Sequence, residues 1–175
     1  MATSPDPNSE HQLLANWVGT HGRAVRGYLL AMVRREDVAE DLLQEVYRKA
    51  WEARGRYREC GAARAYLIRI ADGLVRDRAR KGRREIQVEP EQWEALEPAE
   101  WDTEPSFVLT QSEARQRLNE ALDQISPDQR RVLLLRYYGE LDFAEIAATV
   151  GCPLNTALSR AHRGLLALRR ILAEV

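Results

Sequence analysis

The sequence predicts an all-α protein with two small helical domains joined by an acidic linker. Long stretches of the 175 residues lack proline and are rich in alanine, leucine, arginine and glutamate, which all favour helix. The β-branched and aromatic residues are too scattered to alternate with polar residues over the length of a strand. Helices, and not sheets, are therefore expected throughout.

The distribution of charge divides the chain into three parts. Residues 20–85 hold 17 basic and 10 acidic side chains, residues 86–113 hold eight acidic and none basic, and residues 114–175 hold nine basic and seven acidic. A basic block, an acidic segment and a mildly basic block predict two anion-facing modules and a tether between them.

The first domain, residues 10–85, is predicted to follow a disordered tail over residues 1–9. Helices are expected from Glu10 to Val18 and from Gly22 to Arg35. Asp37 is predicted to cap the next helix, because its side chain can accept from the backbone of the first turn. Apolar residues of that helix recur at three- and four-residue spacing, which buries one side. They are Ala39, Leu42, Leu43, Val46, Ala50 and Trp51.

A long helix from about Ala62 to Lys81 closes the first domain. Its expected buried stripe contains Tyr66, Leu67, Ile70, Ala71 and Leu74. The acidic linker then covers residues 86–105.

The second domain, residues 106–175, carries the clearest turn signals. Five residues are predicted to start or stop its helices: Ser106, Ser126, Gly139, Asp142 and Gly151. The last helix opens at Pro153 and reaches about Ala173.

The last two predicted helices meet the geometric requirements of a helix-turn-helix. Ala147 supplies the small residue where the helices touch, and Gly151, four residues later, supplies the turn. The apolar lock comprises Ile146, Val150, Cys152 and Ala157. Polar residues near the start of the second helix then stand where recognition helices contact bases and phosphates. They are Asn155, Thr156, Ser159, Arg160 and Arg163.

Several classes of protein are excluded by what the sequence lacks. Cys60 and Cys152 stand far apart and the three histidines form no cluster, so neither a metal site nor a disulfide framework is expected. Neither a nucleophile–base pair nor a P-loop is present, so we expect no enzyme activity, no cofactor and no small-molecule substrate. The N-terminus lacks the features of a signal peptide, and the longest apolar run, Val132–Leu135, is too short for membrane insertion. A cytoplasmic protein is expected.

At this point the chain resembles a sigma factor of the extracytoplasmic-function (ECF) group, in the sigma-70 family of bacterial RNA polymerase. AEDLLQEVYRKAW (39–51) resembles the polymerase-binding helix of region 2, and YLIRIADGLVRDRAR (66–80) resembles its promoter-melting and −10-reading helix. Residues 122–172 resemble the region 4 helix-turn-helix that reads the −35 element. The resemblance covers nearly everything from residue 12 to 172.

The resemblance implies three sets of site residues. Polymerase binding would use Asp41, Leu42, Gln44, Glu45 and Arg48. Contact with −10 DNA would use Tyr57, Arg58, Arg64, Tyr66, Arg69, Arg76, Arg80, Lys81, Arg83 and Arg84, because melting needs aromatic surfaces for unstacked bases and cations for phosphates. Reading of the −35 element would use the five polar residues of the last helix. The implied partners are core RNA polymerase, promoter DNA and an anti-sigma factor.

Three departures from the family pattern affect these expectations. The family commonly has tryptophan where Tyr66 stands, a basic residue and asparagine where Asp72 and Gly73 stand, and lysine where Leu158 stands. Asp72 is expected to place a negative charge on a DNA-facing helix, and Leu158 to remove a phosphate contact.

Two alternatives therefore stay open. One is a stand-alone helix-turn-helix regulator whose first domain senses a ligand or dimerises. The other is a sigma-like adaptor that no longer melts DNA.

Overall fold

The computed structural model describes residues 7–54, 62–85 and 105–173, and these ranges contain helices and their connections only. The predicted all-α fold is confirmed. The helices are α1 (Pro7–Val33), α2 (Glu36–Glu52), α3 (Ala63–Glu85), α4 (Pro105–Gln124), α5 (Pro127–Tyr137), α6 (Phe143–Val150) and α7 (Leu154–Ala173). The chain divides into two compact units, one containing α1–α3 and the other most of α4–α7. Within the described ranges, no helix has the length and apolar character needed to cross a bilayer.

Helix α1 is one continuous helix, whereas the sequence predicted two. It begins at Pro7, within the predicted tail. Proline is tolerated in the first turn of a helix, because the N–H groups there have no intrahelical acceptor and the missing N–H of proline costs no hydrogen bond. Gly19 and Gly22 do not break it, because a glycine costs a helix only about 1 kcal/mol and tertiary packing outweighs that cost. At Gly22 an added Cβ would stand 3.0 Å from the Tyr47 hydroxyl, so the glycine allows α2 to approach closely.

The start of α2 differs from the prediction by two residues. Its N-cap is Arg35, in an extended conformation and without a side-chain capping bond. Asp37, the predicted cap, lies in the first turn and pairs with Arg35 at 2.6 Å. This pairing lowers the pKa of the Asp37 carboxyl. A carboxylate in the first turn still complements the positive end of the helix dipole.

The buried side of α3 is rotated from the predicted stripe. Leu67 and Ala71 are buried as expected, but Tyr66, Ile70 and Leu74 are only half-buried. The other buried positions of α3 are Ala63, Ala65, Ile68, Asp72 and Val75. The rotation places a carboxylate in the core, where Tyr28 of α1 supplies a hydrogen-bond donor.

The second unit follows its predicted turn chemistry closely. At the start of α5 the Gln129 backbone N–H donates to Ser126 Oγ, and the Ser126 N–H donates to Gln129 Oε1, both at 3.3 Å. Asp142 and Glu145 form the same reciprocal capping box at α6. Ser106, in contrast, lies inside α4 and is not its cap. Four consecutive apolar residues of α5, Val132–Leu135, are all buried, so α5 is enclosed around most of its circumference and not on one side only.

Candidate functional site

The turn between α6 and α7 has the geometry predicted for a helix-turn-helix. Gly151 adopts the left-handed conformation at φ 74°, which only glycine adopts at little cost. The N–H groups of Gly151 and Cys152 both donate to the Ala147 carbonyl, at 2.9 and 3.1 Å. Ile146, Ala147 and Ala157 are buried between the helices. The turn therefore fixes how α7 leaves α6.

Helix α7 has a buried side and an opposite polar side. Ala157, Ala161, Gly164 and Leu168 face the core of the unit. Three of the predicted DNA-contacting residues are spaced four apart on the opposite side: Asn155, Ser159 and Arg163. Asn155 and Arg163 are exposed and Ser159 is half-buried. This face presents two amide or hydroxyl groups and one guanidinium along one line.

The remaining two predicted residues of α7 are more enclosed. Thr156 is half-buried, and the Arg160 guanidinium lies 2.5 Å from the Asp128 carboxylate in the first turn of α5. Arg160 thus links α7 to α5 as well as reaching the surface. The sequence did not indicate this pair, because the two residues lie in different helices.

An apolar stripe on α7 was only partly noticed in the sequence. Leu154, Leu158, Leu165 and Leu172 are each between 40 and 46% exposed. Their spacings of four, seven and seven residues place them on one side of the helix, and the heptad spacing was the available signal. We call these four residues the leucine stripe.

The predicted polymerase-binding residues of α2 do not all share one surface. Asp41 and Gln44 are exposed, whereas Leu42 is buried in the core of the first unit and cannot contact a partner there. Glu45 pairs with Arg48 at 2.5 Å, and Arg48 also pairs with Glu52. The Arg48 guanidinium lowers the pKa of the Glu45 carboxyl. The acidic character of the face therefore rests mainly on Asp41.

Helix α3 presents a row of basic side chains. Arg69, Arg76 and Arg80 are exposed and, at separations of seven and four residues, share one face. Lys81 is exposed nearby, and Arg80 pairs with Asp77 at 3.1 Å. We call Arg69, Arg76 and Arg80 the basic row.

The other predicted −10 residues have mixed surroundings. Arg64 is half-buried, and the Tyr66 ring packs against Trp17 with centroids 5.9 Å apart. Burial raises the pKa of the Tyr66 hydroxyl. Arg83 and Arg84 belong to α3, but their side chains, together with Tyr57, Arg58 and the linker over 86–104, lie outside the described residues.

Asp72 is buried and does not lie on the surface of its helix. The sequence interpretation expected a negative charge on a DNA-facing helix; Asp72 does belong to α3, but it is only 1% exposed. Its Oδ1 accepts from the Tyr28 hydroxyl at 2.9 Å, which satisfies part of a carboxylate that water cannot reach.

Two helical units, one with a row of arginines on a long helix and the other with a helix-turn-helix, define a class of DNA-binding transcription proteins. Comparison with known protein families finds a matching family model in each half of the chain. The family model described as sigma-70 region 2 matches residues 17–85, and the one described as sigma-70, region 4 matches residues 115–168.

Curated relatives place the chain more closely. It is 34% identical over 158 residues to the RNA polymerase sigma factor CarQ of Myxococcus xanthus, covering 89% of this chain and 86% of that protein. It is 31% identical over 173 residues to the ECF sigma factor SigE of Mycolicibacterium smegmatis, covering 97% of this chain and 66% of the relative. The chain belongs to the sigma-70 family of RNA polymerase sigma factors, in the ECF group. Sigma factors are transcription initiation factors and not enzymes.

Two solved structures, each of a complex, share the fold of this chain. The sigma factor RpoE in complex with the anti-sigma factor NepR from Bartonella quintana matches with a TM-score of 0.73 and 25% identity, over 95% of this chain and 98% of that one. CnrH in complex with the cytosolic domain of CnrY matches with a TM-score of 0.65 and 20% identity, over 94 and 90% of the two chains. The second likeness concerns the fold alone.

Proposed function

We propose that this chain directs core RNA polymerase to promoters in the cytoplasm. Its first unit would bind the polymerase and open the −10 element, and its second unit would read the −35 element. The domain boundaries would be those expected from the sequence, with residues 10–85 and 106–175 joined by the acidic linker. The polymerase itself performs the chemistry, so the chain needs only to bind, orient and melt DNA.

The polar face of α7 is the observation that carries this proposal. Asn155, Ser159 and Arg163 lie opposite the buried side of a helix whose exit from the turn is fixed by Gly151. A recognition helix needs this division, because one side must anchor it while the other enters the major groove. Thr156 and Arg160 would add contacts at the edge of the groove.

Promoter selection with reconstituted holoenzyme tests the proposal. Core polymerase plus the purified chain should initiate run-off transcription from a subset of genomic fragments, and Asn155→Ala or Arg163→Ala should weaken initiation at those fragments. Arg117→Ala, at an exposed position of α4 with no proposed role, serves as the matched control. Failure of the wild-type chain to initiate from any fragment would remove the sigma-factor assignment of activity.

Binding to polymerase would rest on the exposed part of α2. Asp41 and Gln44 would offer hydrogen-bond acceptors to a basic surface of the polymerase clamp. Glu45 and Arg48, which pair with each other, would exchange that ion pair for contacts with the clamp. A pull-down of core polymerase should lose yield with Asp41→Ala combined with Gln44→Ala. Glu113→Gln, an exposed acidic position on α4, should leave the yield unchanged.

Opening of the −10 element would rest on α3 and on Tyr57 and Arg58, which precede it in the chain. The basic row and Lys81 offer cations to the phosphate backbone, with Arg64, Arg83, Arg84 and Arg58 as further basic groups. Tyr57 and Tyr66 would supply the flat surfaces on which an unpaired base stacks. Permanganate footprinting of the open complex should show reactive thymines with the wild-type chain and fewer with Arg69→Ala.

The two alternatives predict different results in the same assays. A stand-alone regulator would bind a palindromic duplex tightly without polymerase, whereas the proposed function requires the holoenzyme for stable binding. An adaptor would bind polymerase but give no permanganate signal. The adaptor hypothesis depended on Asp72, Gly73 and Leu158, and the burial of Asp72 weakens the first of these supports, since its carboxylate does not lie on the surface.

An anti-sigma factor is the second proposed partner. The structural relative at 25% identity is in complex with one, and here the leucine stripe offers an apolar surface beside Arg169. Apolar residues at heptad spacing beside a cation fit an amphipathic helix that has an acidic flank. We therefore expect the anti-sigma factor to present such a helix to α7.

A two-hybrid selection followed by run-off transcription tests this partner. An isolate that inhibits initiation should bind the wild-type chain and lose binding when Leu158→Ser and Leu165→Ser are combined. Leu166→Ser is the matched control, because Leu166 is equally exposed at 43% but lies on another side of the helix. Equal loss with the control would mean that the stripe is not the contact.

A further inference from the structure

A buried carboxylate on α3 stands outside the contacts that we have assigned to DNA and polymerase. Asp72 is 1% exposed, in the part of α3 that packs against α1 and α2. Taking a carboxylate out of water is costly unless partners satisfy it, so its surroundings have to explain its presence.

A buried side chain and an exposed side chain both contact this carboxylate. The Tyr28 hydroxyl, fully buried on α1, donates to Oδ1 at 2.9 Å. Arg76 Nε, one turn further along α3, lies 3.5 Å from Oδ2, yet the Arg76 side chain is 58% exposed. One oxygen is thus bonded to the core and the other faces a surface cation.

The exposed cation belongs to the basic row. Arg76 lies between Arg69 and Arg80 on the face for which we have proposed phosphate contacts. We infer that Asp72 is a positioning residue, which fixes α3 on α1 through Tyr28 and holds the Arg76 guanidinium in place for promoter DNA. This inference rests on the proposed function of the first unit.

The inference and the earlier sequence interpretation predict effects of opposite sign. Asp72→Asn keeps an oxygen that can accept from Tyr28, but it removes the charge that holds Arg76. If Asp72 only repelled DNA, this substitution would strengthen promoter binding. If Asp72 positions Arg76, open-complex formation should fall about two- to five-fold, the factor to which the energy of an exposed ion pair converts.

Asp77 provides a matched control on the same helix. It is exposed, pairs with Arg80 at 3.1 Å, and Asp77→Asn makes the same change in net charge. Because Asp77 is exposed and pairs within its own helix, we expect Asp77→Asn to leave open-complex formation unchanged or to raise it slightly.

The experiment measures open-complex formation by holoenzyme on a promoter obtained from the selection described above. Asp72→Asn should lower it while binding to core polymerase stays at the wild-type level, and the effect of Asp72→Asn should disappear in an Arg76→Gln background. Arg76→Lys, which keeps the charge but loses the planar guanidinium, should lose about as much as Asp72→Asn. Because Arg76 is exposed, Arg76→Lys, compared with the wild type, tests the need for a held guanidinium even if Asp72→Asn does not fold.

Three results would overturn the inference. Asp72→Asn could behave like Asp77→Asn, it could weaken binding to core polymerase as much as it weakens promoter opening, or Arg76→Lys could equal the wild type. The first and third deny that Asp72 holds Arg76, and the second indicates a role in the fold alone. A wild-type chain that opens no promoter would instead overturn the proposed function, and this inference with it.

Discussion

Tyr28 is a core residue whose hydroxyl makes a buried hydrogen bond to Asp72. It donates to a carboxylate that is itself shielded from water, so the two groups depend on each other. Tyr28→Phe would leave Asp72 buried with one donor fewer. We expect the free energy of unfolding to fall by about 1–3 kcal/mol, measured by urea denaturation.

Tyr137 provides the control for that substitution. It is 62% exposed, so Tyr137→Phe removes the same hydroxyl from a site where water replaces it. We expect a change within about 0.5 kcal/mol. Equal effects from the two substitutions would show that the buried hydrogen bond contributes nothing to stability.

Asp142 offers a test of capping at a single residue. Its carboxylate accepts from the Glu145 N–H at 2.8 Å, and the Glu145 carboxylate accepts from the Asp142 N–H at 2.9 Å. Asp142→Ala removes one half of this box and should cost about 1 kcal/mol of unfolding free energy in the second unit. Asp142→Asn, which keeps a capping oxygen, should cost much less. The comparison requires thermal or urea denaturation only.

At the scale of elements, two helix-interior glycines should respond to alanine in opposite directions. Gly164 of α7 is packed on α5, where an added Cβ would stand 3.0 Å from Leu133 Cδ1 and 3.2 Å from Gln129 Cβ. The Cβ of Gln129 cannot move without its helix, so Gly164→Ala should lower the unfolding free energy by about 1–2 kcal/mol despite its better helix propensity.

Gly73 of α3 is the counterpart. Nothing lies within 4 Å of a Cβ added there, so Gly73→Ala gains helix propensity without a clash. We expect the unfolding free energy to rise by up to about 1 kcal/mol. A gain at Gly164, or a loss at Gly73, would contradict the packing described for that helix.

The elements that the sequence predicted well are those whose signals are local. Ser126, Asp142 and Gly151 each act on backbone groups within four residues, so the second unit followed its turn chemistry. The break predicted near Gly19 failed because a glycine's small cost is outweighed by packing elsewhere along the helix. The buried side of α3 could not be predicted either, since an aspartate enters a core only when another helix brings a donor.

The features of the candidate site also fall into those with a local signal in the sequence, which could be predicted, and those without one. The polar face of α7 followed from periodicity, because a helix with one buried side must expose the other. The pairing of Arg160 with Asp128 joins two helices, so the spacing of residues within one helix could not indicate it. Leu42 was assigned to a binding face through resemblance to a motif, although its own apolar periodicity already indicated the core.

At the scale of the whole molecule, charge separates the parts of the chain more clearly than composition does. The net charge is only −1, yet residues 20–85 have an excess of seven basic residues. Binding that depends on phosphate contacts releases counterions, so its affinity must fall with salt.

Arg163→Gln should therefore change the salt dependence of promoter binding by holoenzyme. If Arg163 contacts a phosphate, the slope of log affinity against log salt concentration should decrease in magnitude by about 1. Arg117→Gln makes the same change in net charge at an exposed position of α4 and should leave the slope unaltered. Parallel slopes for wild type and Arg163→Gln would place Arg163 off the DNA backbone.

The bond between Tyr28 and Asp72 joins positions 44 residues apart in the chain. Each residue loses this contact without the other: Asp72 beside phenylalanine loses the hydroxyl donor at Oδ1, and Tyr28 beside an apolar residue loses that acceptor. In a chimera that grafts α3 onto another sigma factor, position 28 must therefore be exchanged together with position 72. The two positions must be kept or exchanged as a pair, although they lie on different helices.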